Sequence, residues 1–185
     1  MILEIEPLIF KIEPLNSEEH IRSDFRCGKD TLDNYIPNLA PQDLKRNTAR
    51  VFVAIKKSDN GPKRTVLGYY SLSSYIINPK ELDETFAKRL PRYDQLPATL
   101  LGRLAVDCTQ QGKKLGEALL YNALKKSLAG SEHIASIGLI AEAKDEKAAQ
   151  FYLKYGFQRF KNSPIKLFLP TKFIKNILPK DETEW

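Results

Sequence analysis

Apolar residues fall along this chain in runs that change period several times, and each change marks an element. Residues 8–12 predict a first strand, and residues 17–39 one or two helices, interrupted near Cys27 and Gly28 and halted by Pro37 and Pro41. Residues 50–55 and 65–77 are rich in β-branched and aromatic side chains. The polar stretch 57–63 between them holds Asn60, Gly61 and Pro62, so the pair reads as two antiparallel strands joined by a turn. A short helical pattern around Leu82 and Phe86 leads into an exposed, proline-bounded loop, and the chain returns to strand over 99–107. Leu115, Leu119, Ala123 and Leu128 recur at helical spacing, 134–143 is an apolar run of strand length, and 145–155 is helical again. Residues 157–160 and 166–169 predict the last strands, before a tail with an acidic cluster and Trp185. Strand, helix, strand, helix in the second half implies parallel pairing at the centre.

Composition narrows the class. A chain of 185 residues with 42% hydrophobic content suits one domain with a real core, without internal repeats or low-complexity segments. Its apolar runs fall far short of the ~20 residues that span a bilayer, and Glu4, Glu6 and Pro7 do not suit a signal peptide, so a soluble cytoplasmic protein without membrane partners is expected. Cys27 and Cys108 give no disulfide framework, and with His20 and His133 as the sole histidines no metal is expected. The net charge of +6 favours an anionic partner.

Candidate chemistry centres on Gln111-Gly112-Lys113-Lys114-Leu115-Gly116, a glycine-bearing turn between a strand and a helix. Free amides and the helix dipole at such a junction hold a phosphate or pyrophosphate, although an ordinary connection has the same look. The loop matches neither a dinucleotide fingerprint nor a nucleoside-triphosphate P-loop. A second segment, Ala148-Ala149-Gln150-Phe151-Tyr152-Leu153-Lys154-Tyr155-Gly156-Phe157, occupies the next helix.

These two segments, in this order, resemble the signatures of the GNAT N-acetyltransferases over about residues 51–169. The first is a Gln or Arg, two variable residues, a Gly, one variable residue and a Gly or Ala; Gln111 and Gly116 match, while Lys114 stands where glycine is common. The second matches in full. Phe25-Arg26-Cys27-Gly28 with Leu32-Asp33, Gly68-Tyr69-Tyr70-Ser71-Leu72-Ser73, Leu90-Pro91-Arg92-Tyr93 with Leu96-Pro97-Ala98, and Gly102-Arg103-Leu104-Ala105-Val106-Asp107 extend the resemblance to acetyltransferase toxins of TacT type, over nearly the whole chain. The resemblance implies a single α/β GNAT domain, 1–185, with a central mixed, twisted sheet of about six or seven strands and helices on both faces. It also implies acetylation of the amino group of aminoacyl-tRNA, with acetyl-CoA as co-substrate, and inhibition by a ribbon-helix-helix antitoxin. A homodimer is a further possibility.

Residue roles follow from the resemblance. Amides of Gln111, Gly112, Lys113, Lys114, Leu115 and Gly116 would hold the pyrophosphate; backbone groups of Leu104, Ala105 and Val106 the pantetheine arm; Ala148 also borders the cofactor. The side chains of Leu104 and Val106 read equally as core. Tyr152 would protonate the leaving thiolate, since a phenol of pKa ~10 suits that task; a packing aromatic beside Phe151 is the other reading. No general base is named. Arg103 is a candidate for tRNA or cofactor phosphate, with a surface salt bridge as the alternative. Lys88, Arg89 and Arg92, interleaved with Tyr93, would meet the tRNA acceptor end by charge and stacking. Cys108 follows the cofactor strand, but no histidine sits nearby in sequence for a covalent route. His20 and His133 are expected to be structural or exposed. Two other functions stay open: acetylation of a small amine, antibiotic or protein N-terminus, and a binding module for acetyl-CoA or RNA without catalysis.

Overall fold

A computed structural model describes residues 9–178. The strands are β1 (Phe10–Pro14), β2 (His20–Ile21), β3 (Arg50–Lys56), β4 (Arg64–Thr65), β5 (Gly68–Ile77), β6 (Leu96–Val106), β7 (Gly138–Glu142), β8 (Gln158–Phe160) and β9 (Ser163–Pro170). The helices are α1 (Asp30–Asn34), α2 (Ala40–Arg46), α3 (Glu84–Ala87), α4 (Leu115–His133), α5 (Glu146–Lys154) and α6 (Thr171–Ile177). Seven strands form one mixed sheet in the order β1-β3-β5-β6-β7-β9-β8, and β2 pairs with β4 in a small parallel ribbon. The expected parallel pair is β6 with β7, in register over Thr99↔Leu139 to Leu101↔Ala141. Contacts divide the described chain into two compact units, residues 9–73 with 103–123 and residues 74–102 with 124–178.

In the first unit β1, β3 and the start of β5 are antiparallel, with Ile12 opposite Ala54 and Val53 opposite Tyr69. Their inward side chains meet Phe25, Leu32, Tyr35, Ile36 and Ala105 in one buried cluster. The turn expected between β3 and β5 is longer than the 57–63 stretch, because Arg64 and Thr65 leave the hairpin to pair with His20 and Ile21. An ion cluster fastens this ribbon to β1. Glu13 lies 2.9 Å from the buried His20 Nε2, 3.0 Å from Arg64 and 2.6 Å from Lys11. His20 Nδ1 accepts the Asn16 N–H at 2.9 Å, so the proton on Nε2 faces Glu13, and the structural role expected of His20 holds.

The helices predicted over 17–39 are displaced. His20 and Ile21 are strand, helix begins only at Asp30, and it passes both prolines to Arg46. Pro37 lacks an N–H, and its ring would crowd the carbonyl of Asp33 in an α-helix; the chain widens instead into a π-helical turn, Tyr35–Leu39, in which the Ala40 N–H reaches the Tyr35 carbonyl. Pro41 falls at the start of α2, where a missing N–H costs nothing.

In the second unit β7 pairs with β9 and β9 with β8, both antiparallel. Ile77, Leu82, Leu96, Ala98, Ile140, Phe160 and Phe168 form its core. The strand expected over 134–143 is shorter, because α4 continues to His133 and leaves Ile134 79% exposed. His133 is exposed. Helix α6 had no sequence signal apart from Pro170 before it and was not expected. The start of the first predicted strand at Leu8 and the acidic tail with Trp185 lie outside the described residues. Among the described residues no helix is long and apolar enough to cross a membrane, and no group of His, Cys, Asp or Glu side chains is arranged to hold a metal.

Candidate functional site

The β6 to α4 connection is built by side chains that tie it down at both ends. Asp107, just past β6, accepts the Thr109 N–H at 3.0 Å, the Thr109 hydroxyl at 2.6 Å and the Arg26 N–H at 2.9 Å. Burial pushes its carboxyl up, but the Thr109 hydroxyl, the two amides and the Arg26 charge outweigh it and hold the pKa below the usual aspartate range. The Cys108 N–H returns a bond to the Arg26 carbonyl at 2.7 Å, and Asp33 accepts the Cys27 N–H at 2.6 Å. Gln111 then spans the join, its amide nitrogen donating to the carbonyls of Val106 and Cys27, both at 3.1 Å. The glutamine of the loop signature is therefore a brace.

Beyond Gln111 the backbone turns twice through positive φ, at Gly112 (+77°) and Lys114 (+59°). Lys114 thus adopts the left-handed conformation that glycine takes without cost, so the departure from the signature leaves the turn geometry intact. The Lys114 carbonyl accepts the Ala118 N–H at 3.1 Å and begins α4. The amides of Leu115 and Gly116 lie in the first turn of a 19-residue helix, where no preceding carbonyl is available within the helix and the dipole is positive. Lys113 folds back onto the Thr109 carbonyl at 2.8 Å, and residues 111–114 are all exposed. The Lys113 N–H reaches the Gln110 carbonyl at 3.4 Å, and the turn around it leads into a helix start of the kind that can hold an anion.

The β6–β7 register stops at Leu101↔Ala141, while β6 runs on to Val106. Side chains alternate over this extension: Ala105 is in the core cluster, and Leu104 and Val106 are half-buried, outside it. Among the described residues Arg103 makes no ion pair. Its guanidinium lies 3.7 Å from the centroid of the Tyr35 ring.

Helix α5 is capped by Asp145, whose carboxylate accepts the Ala148 N–H at 2.8 Å; that amide is already satisfied within the helix. Tyr152 is 5% exposed, packed edge-on to Phe151 at 5.3 Å and tilted against Phe157 at 5.3 Å. Burial pushes its phenol up, so it is protonated throughout the neutral range and is a weaker acid than the ordinary phenol from which its role was expected.

Residues 47–159 match the family of the acetyltransferase (GNAT) domain. This chain belongs to that family. Among GNAT proteins it is 29% identical to the probable toxin TacT of Sinorhizobium fredii, over 90% of this chain and 94% of the relative. Its fold matches the crystal structure of a tyrosine-to-phenylalanine mutant of KacT with a TM-score of 0.84, at 29% identity and over 91% of this chain and 99% of that one. It also matches AtaT complexed with acetyl-methionyl-tRNAfMet (TM-score 0.81, 29% identity, 90% and 98% covered), and a mutant AtaT bound to the C-terminus of the antitoxin AtaR and acetyl-CoA (TM-score 0.76, 27% identity, 91% and 97% covered).

Within the GNAT frame, the predicted site residues fall into separate groups. Leu104 to Val106, Gln111 to Gly116 and Arg103 belong to the first unit; Ala148, Tyr152 and the basic loop belong to the second. Lys88, Arg89, Arg92 and Tyr93 are all exposed, Tyr93 at 68%. Both cysteines are free; burial pushes the Cys27 thiol up to about 12, which leaves it an inert thiol at neutral pH. Asp33 and Asp107 were singled out in the sequence only as members of the resembling segments, without a role, and Tyr35 was missed. The Asp-x-Thr spacing of 107 and 109 was an available cap signal. Nothing in the sequence connects Tyr35 with Arg103.

Proposed function

We propose that this GNAT enzyme transfers the acetyl group of acetyl-CoA to the α-amino group of aminoacyl-tRNA, as the toxin of a toxin–antitoxin pair acting in the cytoplasm. The observation that carries this reading is the likeness, over nine-tenths of the chain, to AtaT in its complex with acetyl-methionyl-tRNAfMet. The Lys114-capped start of α4 supports acetyl-CoA as the donor, with amides of residues 111–116 on its pyrophosphate and the β6 backbone at 104–106, past the end of the β7 register, beside the pantetheine. An antitoxin of the ribbon-helix-helix kind is the proposed inhibitor, in keeping with the AtaT–AtaR complexes. The whole chain is proposed to act as one domain.

The reaction needs little covalent help. The free amine attacks the thioester carbonyl, the C–N bond forms, the C–S bond breaks, and the amine loses a proton to solvent. Tyr152 is proposed to give its phenolic proton to the departing thiolate and to regain one from water. An aminoacyl ester lowers the pKa of its amine, so no carboxylate base is required. Lys88, Arg89, Arg92 and Tyr93 are proposed to meet the acceptor end of the tRNA.

Transfer of labelled acetyl from acetyl-CoA to a pool of aminoacylated tRNA tests the reading, with uncharged tRNA, free amines and peptides alongside. Label confined to charged tRNA is the expected result. Label on free amines or peptides, with tRNA unmodified, would overturn the substrate and leave the acetyltransferase standing.

A further inference from the structure

Arg103 is half-buried, yet among the described residues its guanidinium has no carboxylate and no hydrogen-bond acceptor; its one recorded partner is the face of Tyr35, 3.7 Å away. The Arg103 nitrogens are not buried, so water satisfies them in the free protein, and a ligand's acceptor can take the place of that water. Stacking covers one face of the plane and leaves the N–H edge free, which is the edge that grips phosphate in a bidentate way.

The ring beneath it is held from every side. Tyr35 is fully buried, its hydroxyl donates to Asp43 at 2.8 Å, and its other neighbour is Tyr69, stacked at a centroid distance of 5.8 Å. Tyr69 is in turn fixed by a bond from its hydroxyl to the Leu32 carbonyl at 2.8 Å and by Phe25 edge-on at 5.2 Å. Asp43 is oriented by the Thr48 hydroxyl at 2.9 Å. Tyr35 stands in the π-helical turn forced by Pro37, so the irregular helix sets the platform on which the arginine lies.

We infer that Tyr35 is a positioning residue, which holds Arg103 flat as a ready-made receptor for a substrate phosphate. This rests on the proposed reaction, whose two substrates both carry phosphate: the nucleotide end of acetyl-CoA and the backbone of tRNA. A stacked guanidinium is pre-organised, so little rotamer freedom is lost when the phosphate arrives.

The test measures the Kd of acetyl-CoA, and KM and kcat with charged tRNA, for Arg103→Gln, Arg103→Lys, Tyr35→Leu and the Tyr35→Leu/Arg103→Gln double variant, each checked for folding by circular dichroism and thermal melting. Arg103→Gln is expected to weaken one of the two substrates by about tenfold or more, the scale of a lost hydrogen-bonded charge, and Arg103→Lys nearly as much because an ammonium cannot stack or fork. A loss in acetyl-CoA binding assigns the phosphate to the cofactor; a loss in KM for tRNA assigns it to the nucleic acid. Tyr35→Leu is expected to lower the same parameter in the wild-type background and to have no added effect in the Arg103→Gln background. Equal losses in both backgrounds would reduce Tyr35 to a packing residue and overturn the inference. Should Tyr35→Leu fail to fold, Arg103→Lys decides: binding as tight as wild type would show that the planar, stacked geometry is not used. Wild-type protein that leaves charged tRNA unlabelled would sink the proposed substrate instead, and the acetyl-CoA measurements would still stand.

Discussion

At the scale of single residues, Lys114 and Tyr152 are expected to do different kinds of work in the proposed reaction. Lys114 holds φ +59°, a conformation that costs an L-residue roughly 1–2 kcal/mol and glycine nothing. Lys114→Gly is therefore expected to raise stability by about 1 kcal/mol in urea unfolding, after the extra chain entropy of glycine is subtracted. Lys114→Ala should give no such gain, and an equal gain from both would show that strain is not the cause. Tyr152 sits in a protonated, buried state, so Tyr152→Phe keeps the packing of the ring and removes only the hydroxyl that carries the proton. The expected outcome is a fall in kcat of about a hundredfold to ten-thousandfold with acetyl-CoA affinity unchanged; a folded variant as fast as wild type would remove the acid role. Asp107 works through the backbone. Its folded pKa is depressed, so its contribution to stability is present above the ordinary aspartate range and is lost as pH falls through the folded value. Asp107→Asn should be less stable than wild type at pH 7 by on the order of 1–3 kcal/mol, with the two melting curves converging below about pH 4.

At the scale of elements, what the sequence made legible were the segments with one uniform period. β3, α4 and α5 lie close to where their patterns put them, and the Gln111 loop and the Tyr152 helix were readable because each signature is contiguous in the chain. The region 17–39 was misread because proline was treated as a stop, whereas a π turn absorbs Pro37 and a helix start absorbs Pro41. The Tyr35–Arg103 stack was invisible for a different reason: it joins residues far apart in sequence through a fold that had to be known first. Element packing also sets the start of α4. A Cβ on Gly68 of β5 would lie 2.9 Å from Leu119 Cδ1, 3.3 Å from Leu115 Cδ2 and 3.2 Å from the Ala105 carbonyl oxygen. Gly68→Ala is thus expected to push the first turns of α4 off the strand, costing about 1–3 kcal/mol of stability. Its Kd for acetyl-CoA should weaken in parallel, by isothermal titration; a stability loss with unaltered affinity would mean that the loop holds its shape independently of this contact.

For the molecule as a whole, charge is the property that acts beyond any one contact. The net charge is +6, and several cations are neutralised locally: Arg64 pairs with Glu13 and Glu19, Arg159 with Glu146, and Lys166 with Glu81. Lys88, Arg89 and Arg92 carry no such partner among the described residues and stand exposed on one loop. Free cations on a mobile polyanion's path bind by releasing its counterions, so each phosphate contact steepens the salt dependence by about 0.7 to 0.9 in a plot of log affinity against log salt. The triple variant Lys88→Gln, Arg89→Gln, Arg92→Gln is accordingly expected to raise KM for charged tRNA at low salt and to flatten its salt slope by about one unit for every contact removed. KM for acetyl-CoA, whose proposed contacts do not include this loop, serves as the internal control and should scarcely move. An unaltered slope with a normal KM would assign the loop to a solvated face, and the nucleic-acid surface would have to be sought on the other basic residues of the chain.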